Sequence, residues 1–493
     1  MFTKSLNSIA LALLSTSLAS LTSFASTVPD APRPALEKPN VIIFFLDDSG
    51  YGDISHNGNP TIHTPNIDRL AQEGKYFTQF YVGTAACSAS RYALLTGRVP
   101  GRSGLKSWVI GPSSPRHIHT QEITLAEGLK TAGYKTGMFG KWHLGSPNEK
   151  NNMSTDTLPL AHGFDQWVGT NVSHDYDNAQ LLKSDINGNT PIKGYSRLAK
   201  DLPSDLKASE SLTGRYTDAA VQFIKDNREK PFFAYVAHNQ PHLGLYASKK
   251  FKGKSKRGLL GDVMAEVDDS VARVMKTLKE EGIDKNTLVI FSSDNGPWLL
   301  FRNTVDHRKY GEARLHIGYA HPFRDGKGSA SWEGGFRVPG IFHWPGTIDP
   351  KRELEPASTL DILPTLFKIC NVSVPSDRSI DGRDIRPLLS NKLCDDKEVA
   401  PFNFIYSYSN NKPSAIRKGP WKLHVRIGSQ LRDNYGYKAD RNTPLLFHIE
   451  EDCAERINRA EDHPELVKEM LTELENHEAQ VKQEGNYWDK PKI

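Results

Sequence analysis

The chain has 493 residues, of which 38% are hydrophobic, so we expect a globular protein of two domains or of one large domain with an appendage. The formal net charge is only +4, and the basic residues form no stripe of the kind that binds nucleic acid. The composition therefore excludes a nucleic-acid-binding protein, and the slightly basic balance is compatible with an anionic substrate.

The first 25 residues predict a secretory signal peptide. Residues 1–7 carry one lysine and no acid, residues 9–21 are apolar and small, and Ser23-Phe24-Ala25 fits a small-x-small cleavage site. The apolar run is short and interrupted by Ser and Thr, so we expect no stable membrane insertion. The mature protein is predicted to be exported, either to the periplasm or out of the cell.

Four apolar runs further along the chain each end in polar residues. The runs and their polar ends are 41–46 before Asp47 and Asp48, 135–139 before Lys141 and His143, 231–237 before His238 and His242, and 287–291 before Asp294 and Asn295. Helix-like patterns at 67–73, 125–132, 218–227 and 261–282 lie between the runs. This alternation predicts a doubly wound, mainly parallel α/β sheet with helices on both faces. Because such sheets bind ligands at the carboxyl ends of their strands, the polar ends should share one edge.

The polar residues fall into two chemical groups. The oxygen donors suit Ca²⁺ or Mg²⁺ rather than zinc, and they are Asp47, Asp48, Asp294 and Asn295. Two adjacent acids at a buried strand end need a cation, although a solvated turn is the alternative. The cationic group suits a tetrahedral oxyanion and comprises Arg91, Lys141, His143, His242 and Lys327. Lys327 stands in a glycine-rich run without the spacing of a nucleotide phosphate loop.

Cys87 opens a helix-like run that Gly97 closes. A residue at a helix start faces unpaired N–H groups and the positive end of the helix dipole, and Arg91 lies one turn later on the same face. The position suits an anion site, while the alternative is a small, inert, buried cysteine. The other cysteines are too few for a disulfide scaffold, and a pair between Cys370 and Cys394 stays open.

The pattern changes after about residue 344. Short strand-like runs at 402–408, 414–417 and 421–425 precede a charged amphipathic helix at 464–483. These elements predict a smaller α+β subdomain with a short antiparallel sheet. The expected organisation is a signal peptide at 1–25, an α/β domain carrying the candidate site at 26–345, and a C-terminal subdomain at 346–493.

The stretch Cys87-Ser88-Ala89-Ser90-Arg91, followed by Leu95-Thr96-Gly97-Arg98, resembles the signature of the type I, formylglycine-dependent sulfatases. The other motifs follow in that family's order, and the likeness is strongest to its arylsulfatase A and N-acetylgalactosamine-6-sulfatase branch, within the alkaline phosphatase superfamily. The resemblance implies a sulfuric ester hydrolase. It also implies that a formylglycine-generating or anaerobic sulfatase-maturing enzyme oxidises Cys87 to formylglycine (3-oxoalanine), whose hydrated aldehyde is the nucleophile.

The resemblance further implies a role for each candidate residue. Calcium binding is implied for Asp47, Asp48, Asp294, Asn295 and the modified Cys87. Arg91 and Lys141 are expected to hold the formylglycine hydroxyls, and His143 to accept a proton when the aldehyde is regenerated. Contacts with the sulfate and its leaving oxygen are implied for His242 and Lys327, and Ser173 and His238 are additional substrate-binding candidates.

The sequence departs from the family pattern at Ala89, where Pro is more frequent, and at Gly244, where the histidine element often has Pro. The segment 298–324 is long and rich in His and Arg, so we expect it to shape substrate choice. The expected substrate is a sulfated polysaccharide or oligosaccharide of carrageenan, ulvan, fucan or glycosaminoglycan type. The alternatives are a phosphate or phosphonate ester hydrolase of the same superfamily and a non-catalytic protein that binds anionic glycans. The oligomeric state stays open.

Overall fold

The strands of the large sheet include all four of the predicted apolar runs. The computed structural model describes residues 38–106, 108–188, 190, 192–299, 317–394, 405–429 and 434–489. In these residues the strands of the large sheet are β1 Asn40–Leu46, β2 Lys75–Tyr81, β3 Lys135–Gly140, β4 Gln166–Thr170, β5 Leu181–Ser184, β6 Tyr195–Ala199, β7 Phe232–Ala237, β8 Thr287–Ser293, β9 Arg337–His343, β10 Lys351–Glu353 and β11 Ala357–Ser358. A separate small sheet contains β12 Ile405–Ser409, β13 Lys412–Lys418, β14 Trp421–His424 and β15 Leu445–His448.

The helices confirm the predicted helical segments, with ends that differ by a few residues. They are, within the described residues, α1 Pro65–Glu73, α2 Cys87–Thr96, α3 Leu125–Thr131, α4 Leu206–Glu210, α5 Leu212–Asn227, α6 Leu259–Glu280, α7 Glu333–Phe336, α8 Ile362–Ile369, α9 Arg386–Leu389 and α10 Pro464–Glu484. Helix α5 begins six residues earlier than its sequence pattern indicated. None of these helices is both long and apolar enough to cross a membrane.

The large sheet has the strand order β10-β2-β9-β8-β1-β7-β3-β4-β5-β6, and β11 also pairs with β2. The four predicted strands β8, β1, β7 and β3 are consecutive neighbours and mutually parallel, so their carboxyl ends do share one edge. Strand β9, which the sequence patterns do not predict, runs antiparallel between β8 and β2. The sheet is therefore mainly parallel at its centre and mixed toward both ends.

Strand β1 is apolar along its whole length because both of its faces are covered. Side chains from Val41, Ile43 and Phe45 pack in one core with helices α2, α3 and α8. The alternate residues, such as Phe44, pack on the other face against α5 and α6. The two buried faces explain why a continuous apolar run, and not an alternating one, marks this strand.

A buried network of charges joins the small sheet to the chain that follows Lys327. Lys422 on β14 lies 2.7 Å from Glu333 and 3.2 Å from Glu455, and all three side chains are at most 2% exposed. His424 bonds Glu455 at 2.8 Å through Nε2 and the Ser331 hydroxyl at 2.7 Å through Nδ1. The small sheet therefore holds the start of α7 in place.

Strands β10 and β11, which follow residue 345, pair with β2 in the large sheet. The domain boundaries at residues 25 and 345 stay predictions. No disulfide joins Cys370, which is buried, to Cys394, which is half-buried.

Replacing Lys422 with Ala should destabilise the protein by about 3–5 kcal/mol, because it removes the buried cation that Glu333 and Glu455 share. The matched control is Lys418→Ala on the adjacent strand, which removes a surface ion pair with Glu469 and should cost less than about 1 kcal/mol. Chemical denaturation of the two variants measures the difference. Equal losses would contradict a structural role for the buried network.

Candidate active site

The predicted polar residues meet where β1, β3, β7 and β8 end. The central contact joins Asp47 after β1 to Lys141 after β3, with Oδ2 and Nζ 2.5 Å apart. The second joins Asp294 after β8 to Arg91 on α2, whose Nη2 donates to Oδ2 at 2.8 Å. These four side chains are fully buried. A backbone bond of 3.0 Å from the Asp294 N–H to the Leu46 carbonyl holds the ends of β1 and β8 together.

Cys87 is the first residue of α2, and Gly97 ends that helix in a left-handed conformation, with φ at 68° and its N–H bonded to the Ala93 carbonyl. Ala86, the residue before the helix, provides no side-chain cap. The N–H groups of the first helical turn are therefore directed at the site without a side-chain acceptor from Ala86. The Cys87 sulfur lies 3.8 Å from Asp48 Oδ1. The prediction that Cys87 begins a helix is confirmed.

Asp48 connects the acids to the outer cations. It adopts a left-handed conformation, with φ at 63°, and its N–H donates to Asp294 Oδ1 at 3.1 Å. Its Oδ1 accepts from Asn295 Nδ2 at 2.8 Å, and its Oδ2 lies 2.8 Å from Lys327 Nζ and 3.6 Å from His242 Nε2. Asp48 therefore brings His242 and Lys327, which are expected to contact the leaving oxygen, to the carboxylate cluster.

Ser173 and His143 also lie at this edge. The Ser173 hydroxyl accepts from Lys141 Nζ at 3.3 Å, which brings this predicted residue into the cluster. His143 follows Lys141 by two residues, has φ at 58° and packs its ring edge-on against Tyr176. Both of its ring nitrogens are buried without a hydrogen-bond partner among the described residues. Burial, and then the Lys141 charge, lower the pKa of His143 well below its ordinary value, so its imidazole is neutral.

Among the described residues His238 lies outside the cluster, and its role in substrate binding stays a prediction. Its Nε2 pairs with the Ser270 hydroxyl on α6 at 2.9 Å, and its ring packs near Tyr216 on α5. Burial alone lowers its pKa to about 3. Consecutive side chains at a strand end point to opposite sides, and His238 points into the helical layer.

The carboxylates at the centre have opposite pKa shifts. Burial raises the pKa of a carboxyl group, but Lys141, His242 and Arg91 outweigh this at Asp47, whose pKa lies well below its ordinary value. At Asp294 burial and the adjacent Asp47 prevail over Arg91, and the pKa rises to about 7. Burial and Asp294 likewise raise the pKa of the Cys87 thiol well above its usual range. Additional positive charge is needed to ionise Asp294 and position 87 together.

This cluster fits a divalent cation. Ligand atoms of Asp47, Asp48, Cys87 and His242 lie within 4.8 Å of one another. Asp47 Oδ1 and Asn295 Oδ1 are buried and accept no hydrogen bond in the described part of the chain. Oxygen donors of this kind suit hard cations such as Ca²⁺ and Mg²⁺. Asp294, the fifth predicted ligand, accepts hydrogen bonds from the Asp48 N–H and from Arg91 and so lies in the same cluster.

Sequence comparison identifies the family of this site. The Sulfatase family profile matches residues 39–372, and the profile for the C-terminal region of aryl-sulfatase matches residues 400–492. The chain belongs to the Sulfatase family. It is 37% identical over 429 residues to an arylsulfatase of Hemicentrotus pulcherrimus, which covers 85% of this chain and 74% of that protein. It is 35% identical over 458 residues to arylsulfatase A of Bos taurus, which covers 89% and 86%.

The fold of this sulfatase is shared with solved sulfatases of the alkaline phosphatase type. One such structure comes from work on the metabolism of multiple glycosaminoglycans by Bacteroides thetaiotaomicron. It superposes with a TM-score of 0.72 at 29% identity and covers 90% of this chain and 99% of that one. The predicted family, fold class and sulfuric ester hydrolase activity are thereby confirmed.

Two residues beside the site were missed from the sequence. Asp175 lies 3.9 Å from His242 Nδ1 through its Oδ1, and its pKa is about 2 because His242 and His174 outweigh its burial. Trp298 packs against His242 and Lys327. Asp175 directly follows Ser173-His174 and Trp298 follows Asn295 by three residues, but only tertiary structure shows that both lie against His242.

Loading the sulfatase with Ca²⁺ should raise its unfolding free energy by about 2.7 kcal/mol at a concentration of 100 Kd, since the cation binds the folded state only. Asp47→Asn should lose most of this increase, because it weakens a buried ligand. Asp361→Asn is the matched control, since Asp361 is a buried acid whose bonds go to the Ser358 and Arg383 backbone. Thermal melts with Ca²⁺, with Mg²⁺ and with chelator measure the effect, and identical melts would exclude a cation site.

Proposed function

We propose that this sulfatase is an exported enzyme that removes sulfate from carbohydrates by means of a formylglycine at position 87, with Ca²⁺ as its metal. The observation that carries the proposal is the position of Cys87. Its sulfur lies at a helix start, 3.8 Å from Asp48 and among three buried acids and three cations. As a thiol this side chain is protonated and unreactive, because burial and Asp294 raise its pKa.

Oxidation of Cys87 by a maturation enzyme gives an aldehyde. The hydrate of this aldehyde supplies an oxygen nucleophile that attacks the sulfur atom of the sulfate ester. Arg91 and Lys141 hold and polarise the hydroxyl groups at this position. Their own positions are fixed by the ion pairs with Asp294 and Asp47. Because these charges are preorganised and shielded from water, they stabilise negative charge at position 87 without rearranging.

A bound Ca²⁺ supplies positive charge that favours an ionised nucleophile and offsets the charge on the sulfuryl oxygens. The residues that would hold it are Asp47, Asp48, Asp294, Asn295 and the modified Cys87. The three carboxylates are balanced by Arg91, Lys141 and Lys327. The two further positive charges of the ion would then be matched by a singly charged sulfate ester and a deprotonated nucleophile.

His242 and Lys327 are the candidates for protonating the leaving oxygen. Both contact Asp48 Oδ2, at 3.6 Å and 2.8 Å, so both converge on one side of the site. His143 is buried and neutral and accepts the proton that is released when sulfate departs and the aldehyde is restored. Ser173, bonded to Lys141, is positioned to bind a sulfate oxygen.

Two observations support the proposals that the substrate is a carbohydrate and that the protein is exported. The first 25 residues have the pattern of a secretory signal peptide. The Bacteroides thetaiotaomicron structure belongs to work on the metabolism of glycosaminoglycans. Sulfate release from defined oligosaccharides of the carrageenan, ulvan, fucan and glycosaminoglycan types tests the substrate class, and release from none of them would exclude it. Mass spectrometry of the N-terminus of the exported protein tests cleavage after residue 25.

Cys87→Ala should lower sulfate release by about 10⁴-fold or more while the protein stays folded, because it removes the nucleophile. Cys370→Ala is the matched control, since it replaces another buried cysteine, which contacts Tyr134 at the amino end of β3, and should keep its activity. Activity with 4-nitrophenyl sulfate and the far-UV circular dichroism spectrum are the measurements. The Cys87 peptide of the active enzyme should also be lighter than an unmodified one. Turnover by Cys87→Ala would end the proposal.

The enzyme should prefer 4-nitrophenyl sulfate to 4-nitrophenyl phosphate by about 100-fold or more in kcat/KM, which is about 2.7 kcal/mol of transition-state free energy. The reason is charge, since the doubly charged phosphate ester adds one negative charge to a site that a singly charged sulfate ester balances. Steady-state assays with both esters measure the ratio. A ratio that favours phosphate would support the alternative of a phosphate ester hydrolase.

A further inference from the structure

The site is closed at its nucleophile end and opens beside Lys327. The side chains of Asp47, Arg91, Lys141 and Asp294 are fully buried, and that of His242 is 3% exposed. The Lys327 side chain is 15% exposed, which is the largest value in the cluster. A sulfate ester must therefore enter with its sulfate first, and the alcohol part of the substrate must lie on the Lys327 side.

Trp298 lies at this opening. Its ring centroid is 4.9 Å from Lys327 Nζ, which sits over the ring, and 5.6 Å from the His242 ring centroid at an interplanar angle of 62°. The side chain is half-buried, so part of the indole remains accessible. Trp298 is thus in contact with both residues that flank the leaving oxygen in the proposed function.

The atoms next to the leaving oxygen must lie close to this indole. The oxygen has to come within hydrogen-bond distance of His242 or Lys327 to receive a proton, and the first carbons of the alcohol are one or two bonds further out. An indole presents a large apolar surface with a negative face. The C–H groups on one face of a pyranose ring are apolar and weakly positive, so they complement that surface.

We propose that Trp298 determines specificity by packing against the pyranose ring of the sulfated sugar, so that it selects a ring-shaped carbohydrate leaving group. The proposal rests on the proposed function, because it needs the leaving oxygen to lie between His242 and Lys327. Trp298 takes no part in bond breaking. Its contribution is substrate binding, in both the ground state and the transition state, and it therefore acts mainly on KM.

The test uses the metal-loaded, formylglycine-containing enzyme with galactose 6-sulfate and N-acetylgalactosamine 6-sulfate as probes. Trp298→Ala should raise KM for the sugar sulfate that is turned over best by about 10- to 100-fold, with kcat within about threefold of wild type. Trp298→Phe should keep most of the affinity, because it retains an aromatic face. The inhibition constant of inorganic sulfate, which has no sugar ring, should change by less than about threefold in either variant.

Trp421→Ala is the matched control. Trp421 is another half-buried tryptophan, but it packs on His448 and His463 beside the small sheet, so its removal should leave KM unchanged. If Trp298→Ala leaves KM for sugar sulfates unchanged, the proposal is wrong. If it instead lowers kcat and weakens inorganic sulfate inhibition to the same extent, Trp298 only positions Lys327, and the proposal is also wrong.

Calorimetry on a Cys87→Ser background separates this proposal from the proposed function, since it measures binding without turnover. Sugar sulfate binding that Trp298→Ala weakens by about 10-fold or more supports the packing role even if the enzyme releases no sulfate. In the opposite outcome the formylglycine enzyme releases sulfate while Trp298→Ala leaves the sugar sulfate affinity of the Cys87→Ser protein unchanged. That result would overturn the role of Trp298 and leave the proposed function intact.

Discussion

Three buried carboxylates and three cations hold the active site of this sulfatase together. Asp47 pairs with Lys141, Asp294 with Arg91, and Asp48 with Lys327. Removing one member of such a pair leaves a charge in a place that water does not reach, at a cost of several kcal/mol. The pairs can form only if β1, β3 and β8 end at one edge and α2 starts beside them. The electrostatics of the site and the order of the strands therefore depend on each other.

The small C-terminal sheet contributes to this arrangement from outside the strand edge. Its Lys422 and His424 bind Glu333 and Ser331, in the chain just beyond Lys327, and Glu455, which follows β15. The Lys327 N–H is held in turn by the Pro297 carbonyl at 2.9 Å. The outer cation of the site thus depends on a buried network between two sheets. This dependence explains why the C-terminal part of the chain belongs to the enzyme's working unit although it supplies none of the predicted catalytic groups.

The two ends of the site are built differently. The end at Cys87 is buried, and its groups are positioned by strands and by α2, which are rigid elements. The open end is formed by Trp298, the first residue of the segment 298–324, and by Lys327, which follows that segment in a turn. Loops can change without disturbing the sheet. This separation fits a family in which one sulfate-binding constellation serves many different alcohols.

The central strands, helix α2 and the charged cluster could be predicted from the sequence. An apolar run buried on both faces and a glycine-closed helix are local signals, and the motif residues that follow them meet because parallel strands end together. Four features became visible only in the folded chain: the antiparallel strand β9, the Lys422 network, the direction of the His238 side chain and the contact of Trp298 with Lys327. These features depend on which side chains face each other across distant parts of the chain, and no local periodicity carries that information.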